Sequence, residues 1–240
     1  MNQVIKEPLL LYIETSTGVC SVALSRGEML IASDSVNEEK AHARVIAPMT
    51  ESILLKCGLS LSDTDAVVVS GGPGSYTGLR VGVSFAKGIC YGAGKPLISV
   101  SSLELLSRLV AEKPGYDPES AEFIIPMIDA RRMEVYSVVC DREGKMLSDV
   151  EAVVLNNKSY SEQLATGKVV FAGDGSNKFR DIVDSPNAVF IDIVADASGM
   201  IKPALEKFRR KAFVDVAYFE PFYLKEFVAG VSKKGLGNLR

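Results

Sequence analysis

Short apolar stretches separated by polar turns fill the start of the chain. Leu9 to Ile13, Cys20 to Leu24 and Met29 to Ser33 read as three strands of a meander, divided by turns at Thr15 to Gly18 and at Arg26-Gly27. The period then changes. Val45, Ile46, Met49, Ile53 and Leu54 recur at helical spacing, so a helix is expected over residues 43–57, with Pro48 disturbing its first turns. The pure apolar run Ala66 to Val69 is a further strand, and the small-residue segment Leu79 to Ala93 is a second helix. Leu97 to Val100 gives another strand, and Leu103 to Glu112 a third helix for which Ser101 and Glu104 form a capping box.

Lys113-Pro114-Gly115-Tyr116-Asp117-Pro118, with two prolines and a glycine, is the clearest boundary. Beyond it the same order recurs. Strands are expected at Phe123 to Ile128, Glu134 to Cys140 and Met146 to Val153, then a short helix after Ser159. The strand Val169 to Phe171, the turn Gly173-Asp174-Gly175, a helix from Ser176, the strand Ala188 to Ile191 and a helix from Ser198 to Lys211 complete the series. Two copies of three strands followed by alternating helices and strands predict a duplicated α/β unit, each copy a mixed sheet flanked by helices. The first lobe is expected over residues 1–112 and the second over 113–226, its end packing back on the first. A flexible tail is expected over 227–240, with Lys233-Lys234 in it, and a ligand or partner would use the cleft between the lobes.

Composition narrows the function classes. With 240 residues, 47% hydrophobic and 24% charged, the chain has an ordinary globular balance and can bury a real core. A formal net charge of −3 argues against a broad electrostatic grip on nucleic acid or membrane, so an RNA contact is local or made through a partner. Cys20, Cys57, Cys90 and Cys140 lie far apart without a Cys-x-x-Cys pair, and three of them sit in apolar runs, which suits buried free thiols in a reducing compartment. No signal peptide opens the chain and no stretch reaches the roughly 20 apolar residues of a membrane span, so a cytoplasmic location is expected.

The stretch Gly71-Gly72-Pro73-Gly74-Ser75-Tyr76-Thr77-Gly78-Leu79-Arg80-Val81-Gly82 stands at a strand-to-helix turn, where open α/β sheets hold ligands. Glycines allow close backbone approach, and free N–H groups at a helix start favour an anion. Two phosphate motifs fail here. No lysine follows a glycine of the loop as a Walker motif requires, the first being Lys87, and Thr77 stands where a dinucleotide fingerprint needs its third glycine. A tight structural turn and an anion-holding loop remain the alternatives.

His42 is the only histidine, which removes His-Glu-x-x-His zinc chemistry outright. Its place at a helix start suits a capping or surface residue. Arg80 near a helix N-terminus opposes the helix dipole, and reaches an anion or a carboxylate across an interface unless it is simply solvated. Asp129, Arg131, Arg132 and Glu134 form either a cleft lining or an exposed charged hairpin. Lys207, Arg209, Arg210 and Lys211 read as a basic helix C-terminus rather than an RNA site.

Ile13-Glu14-Thr15-Ser16-Thr17 with Cys20-Ser21-Val22-Ala23-Leu24, the glycine loop, and Asp129-Ala130-Arg131-Arg132-Met133-Glu134-Val135-Tyr136 together closely resemble the TsaB family. Lesser matches at His42 to Leu55, Gly173-Asp174-Gly175 and Pro221-Phe222-Tyr223-Leu224 extend the resemblance over nearly the whole chain. It implies the actin-like ATPase (ASKHA) fold of two ribonuclease H-like lobes. It also implies a non-catalytic partner and activator of TsaD, the subunit that transfers a threonylcarbamoyl group to the adenosine next to the anticodon in tRNAs reading codons that begin with adenine. The implied partners are TsaD, the ATPase TsaE on the resulting heterodimer, and a second copy in a homodimer, with tRNA met only through the complex and no membrane.

The alternative is a stand-alone ATP-dependent kinase or ATPase of the actin-like superfamily, with Glu14 acting on magnesium. For either reading the nucleotide candidates are Glu14, Thr15, Ser16, Gly72, Gly74 and Ser75. No catalytic or metal residue is assigned, and the isolated chain is expected to hold no cofactor, with ATP or ADP at the TsaD interface. Glu14 stands where actin-like ATPases usually carry aspartate. By the same resemblance the partner surface lies on the first two helices, at Val45, Met49, Ile53, Gly78, Arg80, Gly82, Val83, Ala86, Ile89 and Cys90. The small residues Gly78, Gly82, Ser84, Ala86 and Gly88 would let another helix approach closely.

Overall fold

A computed structural model describes residues 7–38 and 40–224. The first lobe runs β1 (Leu9–Glu14), β2 (Val19–Arg26), β3 (Met29–Asn37), α1 (His42–Lys56), β4 (Ala66–Ser70), α2 (Tyr76–Ala93), β5 (Leu97–Val100) and α3 (Ser102–Ala111). The second runs β6 (Phe123–Asp129), β7 (Glu134–Ser137), β8 (Glu151–Val154), α4 (Ser161–Thr166), β9 (Val169–Ala172), α5 (Ser176–Arg180), β10 (Ala188–Ile191) and α6 (Ile201–Arg209). The strands form two five-stranded sheets, ordered β3-β2-β1-β4-β5 and β10-β9-β6-β7-β8. Within each, the first three strands pair antiparallel and the strands that follow helices pair parallel.

The central strands are apolar at every position because both their faces are covered. In β1, Leu10 and Tyr12 face one side while Leu9, Leu11 and Ile13 face the other, where α1 and α2 lie. The second sheet divides likewise: Ile124, Ile128, Val170 and Ala172 on one face, Ile125, Met127, Val169 and Phe171 on the other against α4 and α5. Period-two alternation thus builds a helix, sheet, helix, sheet, helix stack. Each fully buried Leu, Ile or Phe in it contributes about 1.5–3 kcal/mol.

The middle layer joins the lobes. Leu103, Leu106 and Val110 of α3, with Met200, Ala204 and Leu205, pack between Leu10, Tyr12 and Val68 of the first sheet and Ile124, Ile128 and Val170 of the second. One continuous apolar core therefore links the facing sheet surfaces, in place of an open cleft there. Helix α3 is held by the second lobe as well, Ser107 Oγ donating to the Gly144 carbonyl at 2.8 Å and Arg108 to that of Glu143 at 3.0 Å. The chain then returns: Ala197 N donates to Ser21 Oγ at 2.9 Å, Lys207 Nζ to the Ser99 carbonyl at 2.7 Å, and Val214 bridges Leu97 on the β5 edge.

Several boundaries differ from expectation for local reasons. Helix α2 begins at Tyr76, two residues before Gly78, because the Ser75 hydroxyl accepts from Gly78 N at 3.2 Å and caps it. Ser101 caps α3 through Leu103 N, while the reciprocal capping box forms at Ser60 and Asp63. Helix α1 continues through Pro48. Strand β7 stops at Ser137, and Cys140 bridges singly to Ile124 and Met146, so the long β8 shrinks to Glu151–Val154. The last helix opens with a 3-10 turn, Ala197–Met200, capped by Asp196. The tail at 227–240 lies outside the described residues.

All four cysteines are free, with Cys20, Cys90 and Cys140 buried. Burial pushes the Cys20 thiol up to about 11 and those of Cys90 and Cys140 to about 12, leaving them neutral and unreactive.

Candidate functional site

The glycine loop closes onto the β1–β2 turn of its own lobe. A Cβ at Gly74 would meet the Ser16 carbonyl, one at Gly78 the Thr15 carbonyl, and one at Gly82 the Thr15 hydroxyl. Three glycines at four-residue spacing thus form a flat track on which Thr15 and Ser16 sit. Hydrogen bonds fix it further. Ser75 N donates to the Ser16 carbonyl at 2.7 Å, Gly71 N to that of Val100 at 2.8 Å, and Ser102 N to that of Gly72 at 3.0 Å. The returning chain covers the loop, Phe222 N donating to the Gly71 carbonyl at 2.7 Å. At Gly72, with φ +101°, a Cβ would come within 2.7 Å of the Phe222 carbonyl. His42 pins the other side of the turn, Nε2 donating to the Thr17 carbonyl at 3.0 Å.

Glu14 lies beneath this contact, wholly buried. Its Oε1 accepts from Ser16 N and Ser16 Oγ, both at 2.5 Å, while Oε2 has no partner. Burial raises its carboxyl above the ordinary glutamate range, with Ser16 and Ser70 opposing the shift and the charge of Asp196 adding to it. Burial thus disfavours the charged form of this carboxyl. The hydroxyls of Thr15, Thr17 and Ser102 are also buried without a partner.

All six nucleotide candidates, Glu14, Thr15, Ser16, Gly72, Gly74 and Ser75, therefore converge at one place. The Ser16 and Ser75 N–H groups are taken by Glu14 and the Ser16 carbonyl, and the β1–β2 turn packs against the glycine side of the loop. Ser70 and Asp196 escaped sequence reasoning. Ser70 carries no signal beyond ending an apolar run, whereas Asp196, two residues before Ser198, has the spacing of a helix cap.

Helices α1 and α2 pack side by side on the first sheet. Of the ten partner-surface candidates, Met49, Ile53, Gly78, Gly82, Val83, Ala86 and Cys90 are buried and face inward. The reason is periodicity: Gly78, Gly82 and Ala86 share one ridge at i, i+4, and that ridge lies on Thr15 and the sheet. Val45 and Ile89 are half-buried and Arg80 is exposed. The outward face of α2 is Arg80, Ser84, Gly88 and Tyr91, the last 87% exposed, and that of α1 is Ala43, Ala47, Glu51 and Leu55, the last 69% exposed. Nothing lies within 4 Å of a Cβ at Gly88 or Gly92. Arg80 stacks over the Tyr76 ring at 4.9 Å, and Tyr76 meets Tyr223 at 4.9 Å between centroids.

A family model described as "TsaD: tRNA N6-adenosine threonylcarbamoyltransferase" matches residues 35–225. A Haemophilus influenzae protein named "tRNA threonylcarbamoyladenosine biosynthesis protein TsaB" is 32% identical over 233 residues, covering 91% of this chain and 94% of its own. The chain belongs to the TsaB family. An Escherichia coli TsaB is likewise 32% identical over 227 residues, with 92% and 96% covered. The fold agrees: a solved Pseudomonas aeruginosa protein described as similar to peptidase YEAZ superposes with a TM-score of 0.79 at 26% identity, over 91% of this chain and 100% of that one. The two lobes, each a mixed five-stranded sheet flanked by helices, are those of the YeaZ structures.

The TsaB-family motif in the second lobe is an exposed hairpin. Asp129 pairs with Lys178 at 2.9 Å, and its Oδ1 also accepts from Arg131 N at 2.5 Å. Lys178 donates as well to the Glu134 carbonyl at 3.0 Å. Lys178 of α5 thus ties down the Asp129 side chain and the Glu134 carbonyl, while Arg131 and Arg132 face solvent. The basic helix end is structural at Lys207, as its bond to Ser99 shows. Among the described residues, no group of three or more His, Cys, Asp or Glu is arranged to hold a metal, and no helix is long and apolar enough to cross a membrane.

Proposed function

We propose that this TsaB-family chain is a non-catalytic partner and activator of a TsaD enzyme in threonylcarbamoyl transfer to the adenosine next to the anticodon of tRNA. The observation that carries the reading is the filled phosphate turn: Gly74, Gly78 and Gly82 seat the chain's own Thr15 and Ser16 where an actin-like ATPase would need space and free N–H groups. The buried Glu14, whose charged form burial disfavours, points the same way. What remains for this chain is binding. Its outward helical face, small at Ser84 and Gly88 and apolar at Leu55 and Tyr91, supports docking of a partner's helices, with Val45, Arg80 and Ile89 at its border. The same face serves a homodimer when TsaD is absent. TsaE joins the heterodimer, ATP or ADP belongs to the junction with TsaD rather than to this chain alone, and the complex works in the cytoplasm.

Isothermal titration of the full chain with ATP and magnesium tests the catalytic half of the reading. No binding is expected, and tight binding with turnover would establish the kinase or ATPase alternative instead. Co-purification with TsaD tests the partner half. Gly88→Arg and Ser84→Arg abolish it with the fold intact, and a complex that survives both places the interface elsewhere.

A further inference from the structure

The second lobe carries positive charge that the proposed function does not use. In a chain of net charge −3, Arg131 and Arg132 stand together at the tip of the β6–β7 hairpin, both exposed. Lys158, also exposed, follows β8. The register brings the two turns to one end of the sheet: Glu134 lies opposite Val154, and Leu155 N donates to the Met133 carbonyl at 2.7 Å, so the turn that carries Lys158 follows directly on the strand paired with the hairpin. That second turn is fixed by Asn156 N donating to Ser159 Oγ at 3.0 Å and Lys158 N donating to Asn156 Oδ1 at 2.8 Å.

Two of the acids nearby are already engaged. Asp129 holds Lys178 and the Arg131 N–H, and Asp174 Oδ1 accepts from Asp129 N at 3.0 Å. None of the ion pairs among the described residues involves Arg131, Arg132 or Lys158. Both arginines occupy the left-handed region, at φ 68° and 51°. That conformation favours glycine, so nothing in the backbone calls for arginine there.

We propose that this tip, with Lys158 on the turn that follows β8, is a contact for the phosphate backbone of RNA. Guanidinium forks match phosphate oxygens in pairs, and an anchored hairpin presents them on a backbone that is already ordered. The contact carries no base specificity, since backbone phosphates are the same in every sequence. That the RNA is tRNA rests on the proposed function.

Fluorescence anisotropy of a labelled tRNA transcript titrated with the full chain, over a salt series, tests this. Arg131→Gly with Arg132→Gly removes both cations while suiting the left-handed backbone, so its melting temperature holds. Its affinity is expected to fall about tenfold at low salt, and the slope of log affinity against log salt to flatten by about 1.5, the release belonging to two phosphate contacts. Lys158→Glu weakens binding further, whereas Lys113→Glu with Lys168→Glu, elsewhere on the lobe, leaves it unchanged. Three results overturn the proposal: no tRNA binding by the wild type, equal loss in the control pair, or displacement of tRNA by poly-glutamate at equal charge, which would assign the tip to an acidic protein. Because TsaD is absent from the assay, failure here leaves the partner reading standing, and failure of TsaD to co-purify leaves this one.

Discussion

Adding one methyl group to either of two glycines of α2 separates the packed side of that helix from its open side. At Gly88 nothing lies within 4 Å of the new Cβ, so alanine gains its helix propensity at no steric cost. That gain is about 1 kcal/mol, which raises the melting temperature of a chain this size by about 2–4 °C. At Gly78 the same propensity gain meets the Thr15 carbonyl, with Ser75 Cβ and Oγ at 3.3 Å on the other side. The obstacle is backbone in a buried turn pinned by His42 and Ser75, and it cannot swing aside as the end of a side chain would. Overpacking of this kind costs about 1–3 kcal/mol and more where the neighbour is rigid, so Gly78→Ala is expected to lose about 2 kcal/mol net. Differential scanning calorimetry of the two variants beside the wild type reads the opposite signs directly. If both alanines stabilise alike, the glycine track is not seated on Thr15 and the argument that the phosphate turn is filled collapses.

Other consequences are open to test. Folding raises the Glu14 pKa, so the stability it contributes is full below the ordinary carboxylate range and is lost as pH rises through the folded value. Glu14→Gln has no proton to lose, and its melting temperature should therefore fall less than that of the wild type between about pH 5 and pH 8; parallel declines would show Glu14 ionised when folded. Lys207→Met removes the bond from α6 to the Ser99 carbonyl and should cost about 1–2 kcal/mol in urea midpoint measurements, while an unchanged midpoint would mean the contact contributes nothing. With a thiol reagent, half-buried Cys57 should react first and Cys20, Cys90 and Cys140 only on unfolding; prompt labelling of all four would contradict their burial.

The fold was legible because its signals are local. Runs such as Ala66 to Val69 need both faces covered, and the spacing of Ile46, Met49 and Ile53 fits one helical face, so the repeated order of strands and helices could be written from the chain. The direction of α2 was not. Its small residues are spread over the whole circumference, and only the structure shows that the ridge of Gly78, Gly82 and Ala86 faces inward while Ser84 and Gly88 face out. The joining of the lobes was equally hidden, since an apolar Leu103 or Met200 looks the same whether it packs on one sheet or two. The glycine loop invited a ligand reading for a sound reason, close approach of backbone. What approaches is the chain's own Thr15 and Ser16. At the β6–β7 tip, arginine in a left-handed turn breaks the residue preference that sequence reasoning relies on.

The most direct test of the central claim is threonylcarbamoyl transfer to tRNA by a TsaD enzyme reconstituted with this chain. Transfer with the wild type, and none with a folded Gly88→Arg chain whose outward helical face is blocked, is the predicted result. Equal transfer with Gly88→Arg, or transfer unaffected by leaving the chain out, would contradict it.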